Sequence, residues 1–134
     1  MKRDTGDWIR KAERDYRVAE RLAAGRPPEH DIVCFHCQQA AEKFLEALLV
    51  DLGLPVPRTH DLEDLLQLLR PHHPKLFGLK RGVDYLTQFA VESRYPGFPT
   101  SRRQANAERR WAGEVRAAVR TTLGLRPRPR IAGQ

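Results

Sequence analysis

The stretch IVCFHCQQAAEKFLEALLVDLG, residues 32–53, decides the fold. At about 100° per residue, Cys37, Ala40, Ala41, Phe44, Leu45, Leu48, Leu49 and Leu52 share one arc covering nearly half the helix. His36, Gln39, Glu42, Lys43 and Glu46 recur at three- and four-residue intervals on the other side, but Ile32, Phe35 and Val50 stand among them. A helix apolar around most of its circumference belongs inside a bundle, with other helices on one side and often a second subunit on the other. The expected fold is all-α, an up-and-down bundle of four or five helices around this segment.

The flanking chain supplies the remaining helices. MKRDTG reads as a short polar arm, with Asp7 as N-cap of a helix beginning at Trp8. Trp8, Ala12, Asp15, Ala19 and Leu22 keep the helical period, and Arg10, Arg14, Arg17 and Arg21 take the other side. Gly25 and Pro27-Pro28 end that helix. Asp31 is a capping candidate for the central helix, and Gly53 suits its C-terminal end. After LPVPRTH, Thr59 or Asp61 caps a third helix over residues 62–69, with Leu62, Leu65, Leu66 and Leu69 as a narrow apolar seam. A fourth helix, from Lys75 or Leu79 to Glu92, turns Leu79, Val83, Leu86, Phe89 and Ala90 inward. Arg94-Tyr95-Pro96-Gly97 then forces a turn. The last helix opens with a capping box, Ser101 to Gln104, and runs to about Leu123, with Gly124 behind it. Trp111, Val115, Ala118, Val119 and Leu123 face one way, whereas Arg102, Arg109, Arg116 and Arg120 form a stripe opposite. Residues 1–124 are therefore expected to form one helical domain, and 125–134, with RPRPR, a flexible Pro/Arg-rich tail.

Composition narrows the function classes. The net charge of +7 is unevenly placed: residues 1–93 hold 14 Lys+Arg against 15 Asp+Glu, whereas residues 94–134 hold 10 Arg against Glu108 and Glu114. An excess confined to the last third suits an anionic partner, either nucleic acid or an acidic protein surface. Cys34 and Cys37, three apart on one helix, are poorly placed for a disulfide. There is no N-terminal signal pattern, and no apolar run approaches the roughly 18 residues of a spanning helix. A soluble cytoplasmic protein with no membrane partner is expected. Cys34, His36 and Cys37 raise a metal site, but structural zinc takes about four ligands and the chain has no second Cys pair. No metal and no cofactor are expected, and Cys37 reads as core.

CFHCQQAAEKFLEALL, the Gly-Pro connection after it, THDLEDLLQLL, and ESRYPG ahead of the last helix together resemble a HEPN domain of the small prokaryotic single-domain type, over roughly residues 8–123. The resemblance implies a homodimer that binds nucleotide or RNA at or near the subunit interface. It also implies one component of a toxin–antitoxin-like pair, with a minimal nucleotidyltransferase as the partner protein. Many relatives are ribonucleases that carry an Arg followed after roughly four to six residues by a His, the Arg for phosphate and the His for proton transfer. That motif is absent: no His follows His73, Arg26 and His30 enclose three residues in the wrong loop, and Arg70 and His73 enclose two.

The candidate ligand-binding residues are His36, Gln39, Lys43, His60, Arg94 and Tyr95. The polar residues of the central helix read either as surface ion pairs or as a cleft lining joined by His60 and Arg94. Arg94 and Tyr95 could hold phosphate and stack on a base, or only cap and pack. Arg102, Arg109, Arg116 and Arg120 are candidates for nucleic-acid backbone contacts or partner docking, or a solvated face. The expected function is binding without catalysis. The alternatives are an unconventional ribonuclease using His60 or His36 with Arg94, and a purely structural partner of a nucleotidyltransferase.

Overall fold

The computed structural model describes residues 1–92, 95–97 and 99–126. Its elements are α1 (Arg3–Ala23), α2 (His30–Asp51), α3 (Leu62–Leu69), a 3-10 helix (Pro74–Leu79), α4 (Lys80–Glu92) and α5 (Arg102–Thr122). No strand occurs among the described residues. The expected all-α bundle is what forms.

α2 is its axis, with α1, α5, α3 and α4 all packed on it. Cys37, Ala40, Ala41, Phe44, Leu45, Leu48 and Leu49, the arc predicted from the sequence, are buried, and Leu52 is half-buried at its end. Burying a Leu or Phe side chain contributes about 1.5–3 kcal/mol, so this stripe is the main favourable term holding the bundle. Ile32 and Phe35 on the other side of α2 remain exposed.

Local signals set most helix ends. Asp61 caps α3 by accepting from the Glu63 amide at 2.9 Å, and Thr59 accepts from the Asp61 amide at 3.1 Å. Ser101 and Gln104 form the reciprocal capping box of α5. Gly53 and Gly124 take φ of +74° and +71°. There the Leu54 amide reaches the Leu49 carbonyl and the Leu125 amide that of Arg120, so each helix closes in a Schellman turn.

Three expectations need correcting. α1 begins at Arg3, five residues before Trp8, and α2 at His30 rather than after Asp31. Asp7 is inside α1, where its carboxylate meets Arg10. The supposed polar arm is helical because Thr5, fully buried, donates to Asp51 at the far end of α2 (3.2 Å), a contact between helix ends that no capping signal announces. Leu125 and Arg126, assigned to the tail, turn back onto α5, with Leu125 against the core and the Arg126 carbonyl accepting from the Arg120 guanidinium. The remaining tail, 127–134, lies outside the described residues.

The face of α5 opposite Trp111 is also not an open basic stripe. Arg109 grips Glu20 of α1 with two hydrogen bonds, 3.2 and 2.6 Å, and Arg116 and Arg120 both reach Glu13, at 3.0 and 3.3 Å. Both glutamates are buried. α5 lies against α2 and α1 together, so its packed arc is wider than the apolar residues alone mark.

Candidate functional site

The polar residues of α2 form a network with α1 and with the loop before α3. Asp15 on α1 stands between two of them. Its Oδ1 lies 2.9 Å from His36 Nδ1, and its Oδ2 accepts from the Lys43 ammonium. His36 and Lys43 are seven residues apart on one face, and the Lys43 stem leans toward the helix N-terminus, which brings both within reach of one carboxylate.

His60 sits over the same helix. Its backbone carbonyl accepts from Gln38 Nε2 at 3.3 Å, and its Nδ1 lies 3.4 Å from Glu42, while most of its side chain remains in solvent. Burial first, then the neighbouring charge of Glu42, push Glu46 up to about 7. Gln39 is half-buried beside them. His36, Gln39, Lys43 and His60 therefore belong to one surface. Tyr95 is 61% exposed on the turn before α5. Arg94, the proposed phosphate ligand and partner of His60, lies outside the described residues.

The network has a chemical bias not visible on the wheel. Among the described residues, Asp15, Glu42 and Glu46 put three carboxyl groups near one fixed cation, Lys43, and Asp15 already pairs with it. Such a surface suits hydrogen bonding to neutral polar groups better than phosphate neutralisation. Reading Asp15 only as an inward position of α1 missed its role as the bridge.

Arginine placement has the opposite sense. Arg109 is paired with Glu20, Arg116 and Arg120 share the one carboxylate of Glu13, and contact with Glu20 raises the Arg109 pKa. Arg102 is exposed, as are Arg103 and Arg110, and no acid among the described residues lies within ion-pair distance of these three. The buried pairs did leave a signal: Glu13 and Glu20 are seven apart on α1, Arg109 and Arg116 seven apart on α5. Two antiparallel helices with acids and bases at the same interval can pair both at once.

Among the described residues, no group of three or more His, Cys, Asp or Glu side chains is arranged to hold a metal ion. Cys34 and Cys37 are free thiols buried in the core. No described helix is long and apolar enough to cross a membrane.

A family model described as HEPN domain matches residues 5–122. The crystal structure of TT1696 from Thermus thermophilus has the same fold, with a TM-score of 0.77 at 24% identity, over 87% of this chain and 96% of that one. Comparison with curated proteins gives no significant match.

Proposed function

The chain belongs to the HEPN domain family, and on that premise we propose that it binds nucleotide or RNA without catalysis of its own, as one component of a pair with a minimal nucleotidyltransferase. The observation that carries this reading is the division of the α5 arginines: those facing α1 are spent on Glu13 and Glu20, whereas Arg102, Arg103 and Arg110 keep an unneutralised charge on the surface. Guanidiniums with no carboxylate partner among the described residues, in a chain of net charge +7, favour an anionic partner.

In this reading the protein is a cytoplasmic homodimer. Exposed Ile32 and Phe35 supply the apolar part of the dimer face. His36, Gln39, Lys43, His60 and Tyr95, with Arg94, line a shared cleft, where imidazoles, an amide and an aromatic ring suit base and ribose recognition. Residues 1–124 are the binding unit, and the arginines after them add to its positive charge. Non-catalytic action is supported by the absence of any His after His73.

One observation favours a second reading. Asp15 holds His36 at Nδ1, an arrangement that fixes an imidazole and leaves Nε2 for proton transfer. The deciding experiment incubates the purified protein with mixed single-stranded RNA in chelator at two salt concentrations and scores retention and cleavage. Salt-sensitive retention of intact RNA is expected. Metal-independent cleavage that disappears in His36→Ala, His60→Ala or Arg94→Ala would make the protein a ribonuclease.

A further inference from the structure

Two clefts adjoin on the outer side of α5. One, of about 470 Å³, lies between the α1–α2 loop and the first turns of α5 and is lined by Arg26, His30, Arg102 and Asn106 among others. The other, of about 650 Å³, continues along α5 past Arg102, Arg103, Asn106 and Arg110. They share Arg102 and Asn106 and so form one groove. Each section is large enough for a nucleotide-sized group.

We propose that this groove is the track for a single-stranded RNA backbone, an inference that rests on the RNA-binding reading above and places the strand away from the α2 network. Arg26, Arg102, Arg103 and Arg110 have no ion-pair partner among the described residues, and no carboxylate lines either cleft. Asn106 is set by the buried pair behind it. Glu20 pins Arg109, and Arg109 Nη1 donates to Asn106 Oδ1 at 3.1 Å. That bond takes the amide oxygen and leaves the amide N–H groups as donors. Arg109 is thus a positioning residue, and the formally charged side chains that line the groove are all arginines.

Dimensions and lining choose the occupant. Arg102 to Arg110 spans eight residues, about 12 Å of helix, too long for one phosphate and suited to several linked ones. A protein partner would call for a desolvated apolar or aromatic centre, but Arg, Asn, His, Ala, Gly and Pro alone line the groove. The exposed large apolar side chains, Ile32, Phe35, Leu68 and Tyr95 among them, lie outside it.

The test is fluorescence anisotropy with a short fluorescein-labelled oligouridylate across a salt series, on the full chain and on Arg26→Ala, Arg103→Ala and Arg110→Ala. Arg14→Ala and Arg17→Ala, exposed on α1, serve as controls. Single-strand counterion release gives a salt slope of about 0.7 per phosphate contact, hence about fivefold in affinity per arginine near 0.1 M salt. Each groove variant is expected to lose about that much and flatten the slope, with the controls unchanged and circular dichroism showing all five folded. Salt-dependent binding by the unmutated chain that the groove variants leave intact would overturn the groove and spare RNA binding. No RNA retention at low salt would overturn both. Retention of polyglutamate in place of RNA, lost in the same variants, would assign the groove to an acidic protein surface.

Discussion

Glu108 provides the most demanding test of the packing described above. It lies on α5 with its side chain fully buried, and neither carboxyl oxygen has a hydrogen-bond partner. Burial pushes Glu108 from 4.5 up to about 8, and the nearby Cys34 thiol offsets only part of that rise. The folded protein therefore holds this carboxyl protonated at neutral pH, while the unfolded chain releases the proton from about pH 4.5 upward. The associated stability is fully present below pH 4.5 and is lost as pH rises toward 8. At about 1.4 kcal/mol per pH unit, roughly 3 kcal/mol disappears between about pH 5 and about pH 8. Glu46, raised to about 7, acts in the same direction. Glu108→Met, close in volume and without charge, is expected to remove the Glu108 share, leaving the variant more stable than the parent by about 3 kcal/mol near pH 8 and about equal near pH 5. Urea unfolding followed by circular dichroism at both pH values measures this. A Glu108→Met protein that keeps the full pH dependence, or is destabilised at pH 8, would show that the carboxyl finds a partner or water the structure does not provide.

Three further outcomes follow from single contacts in the bundle. Gly82 lies under the Trp111 ring, where an added Cβ would come 2.3 Å from Cε3, so Gly82→Ala is expected to cost about 1–3 kcal/mol, read as a lower urea midpoint. Glu13→Ala strands Arg116 and Arg120 together, and thermal melts should show a loss of about 3–5 kcal/mol, because removing one partner leaves buried charge uncompensated. A drop no larger than that of an exposed control such as Glu114→Ala would mean water screens the pair. Asp61→Ala removes the α3 cap and should cost about 1 kcal/mol, with Asp61→Asn restoring most of it.

Residue spacing alone was enough to place the central helix, because burial of one broad apolar arc leaves few alternatives to a bundle. The seam Leu62, Leu65, Leu66 and Leu69, the Asp61 cap, the Ser101–Gln104 box and the terminal glycines Gly53 and Gly124 were legible for the same reason. Each is a short-range property, decided by side chains within a turn or two of the backbone groups they satisfy. Family membership was legible too, through the order of its motifs.

What sequence could not decide was which charges meet. The wheel for α5 separated apolar residues from arginines correctly but could not say that α1 would cover part of the basic side. Arg109 and Glu20 are 89 residues apart in the chain, and Arg116 and Glu13 are 103 apart. Likewise Thr5 became helical through Asp51, and Lys43 lost its freedom to Asp15. In each case the deciding quantity is the register between two helices, fixed by side-chain packing across the bundle. Sequence determined that the chain is a HEPN helical bundle with surplus positive charge near its end. Tertiary structure decided where that surplus survives, because a charge acts on a partner only if no carboxylate within the fold has already neutralised it.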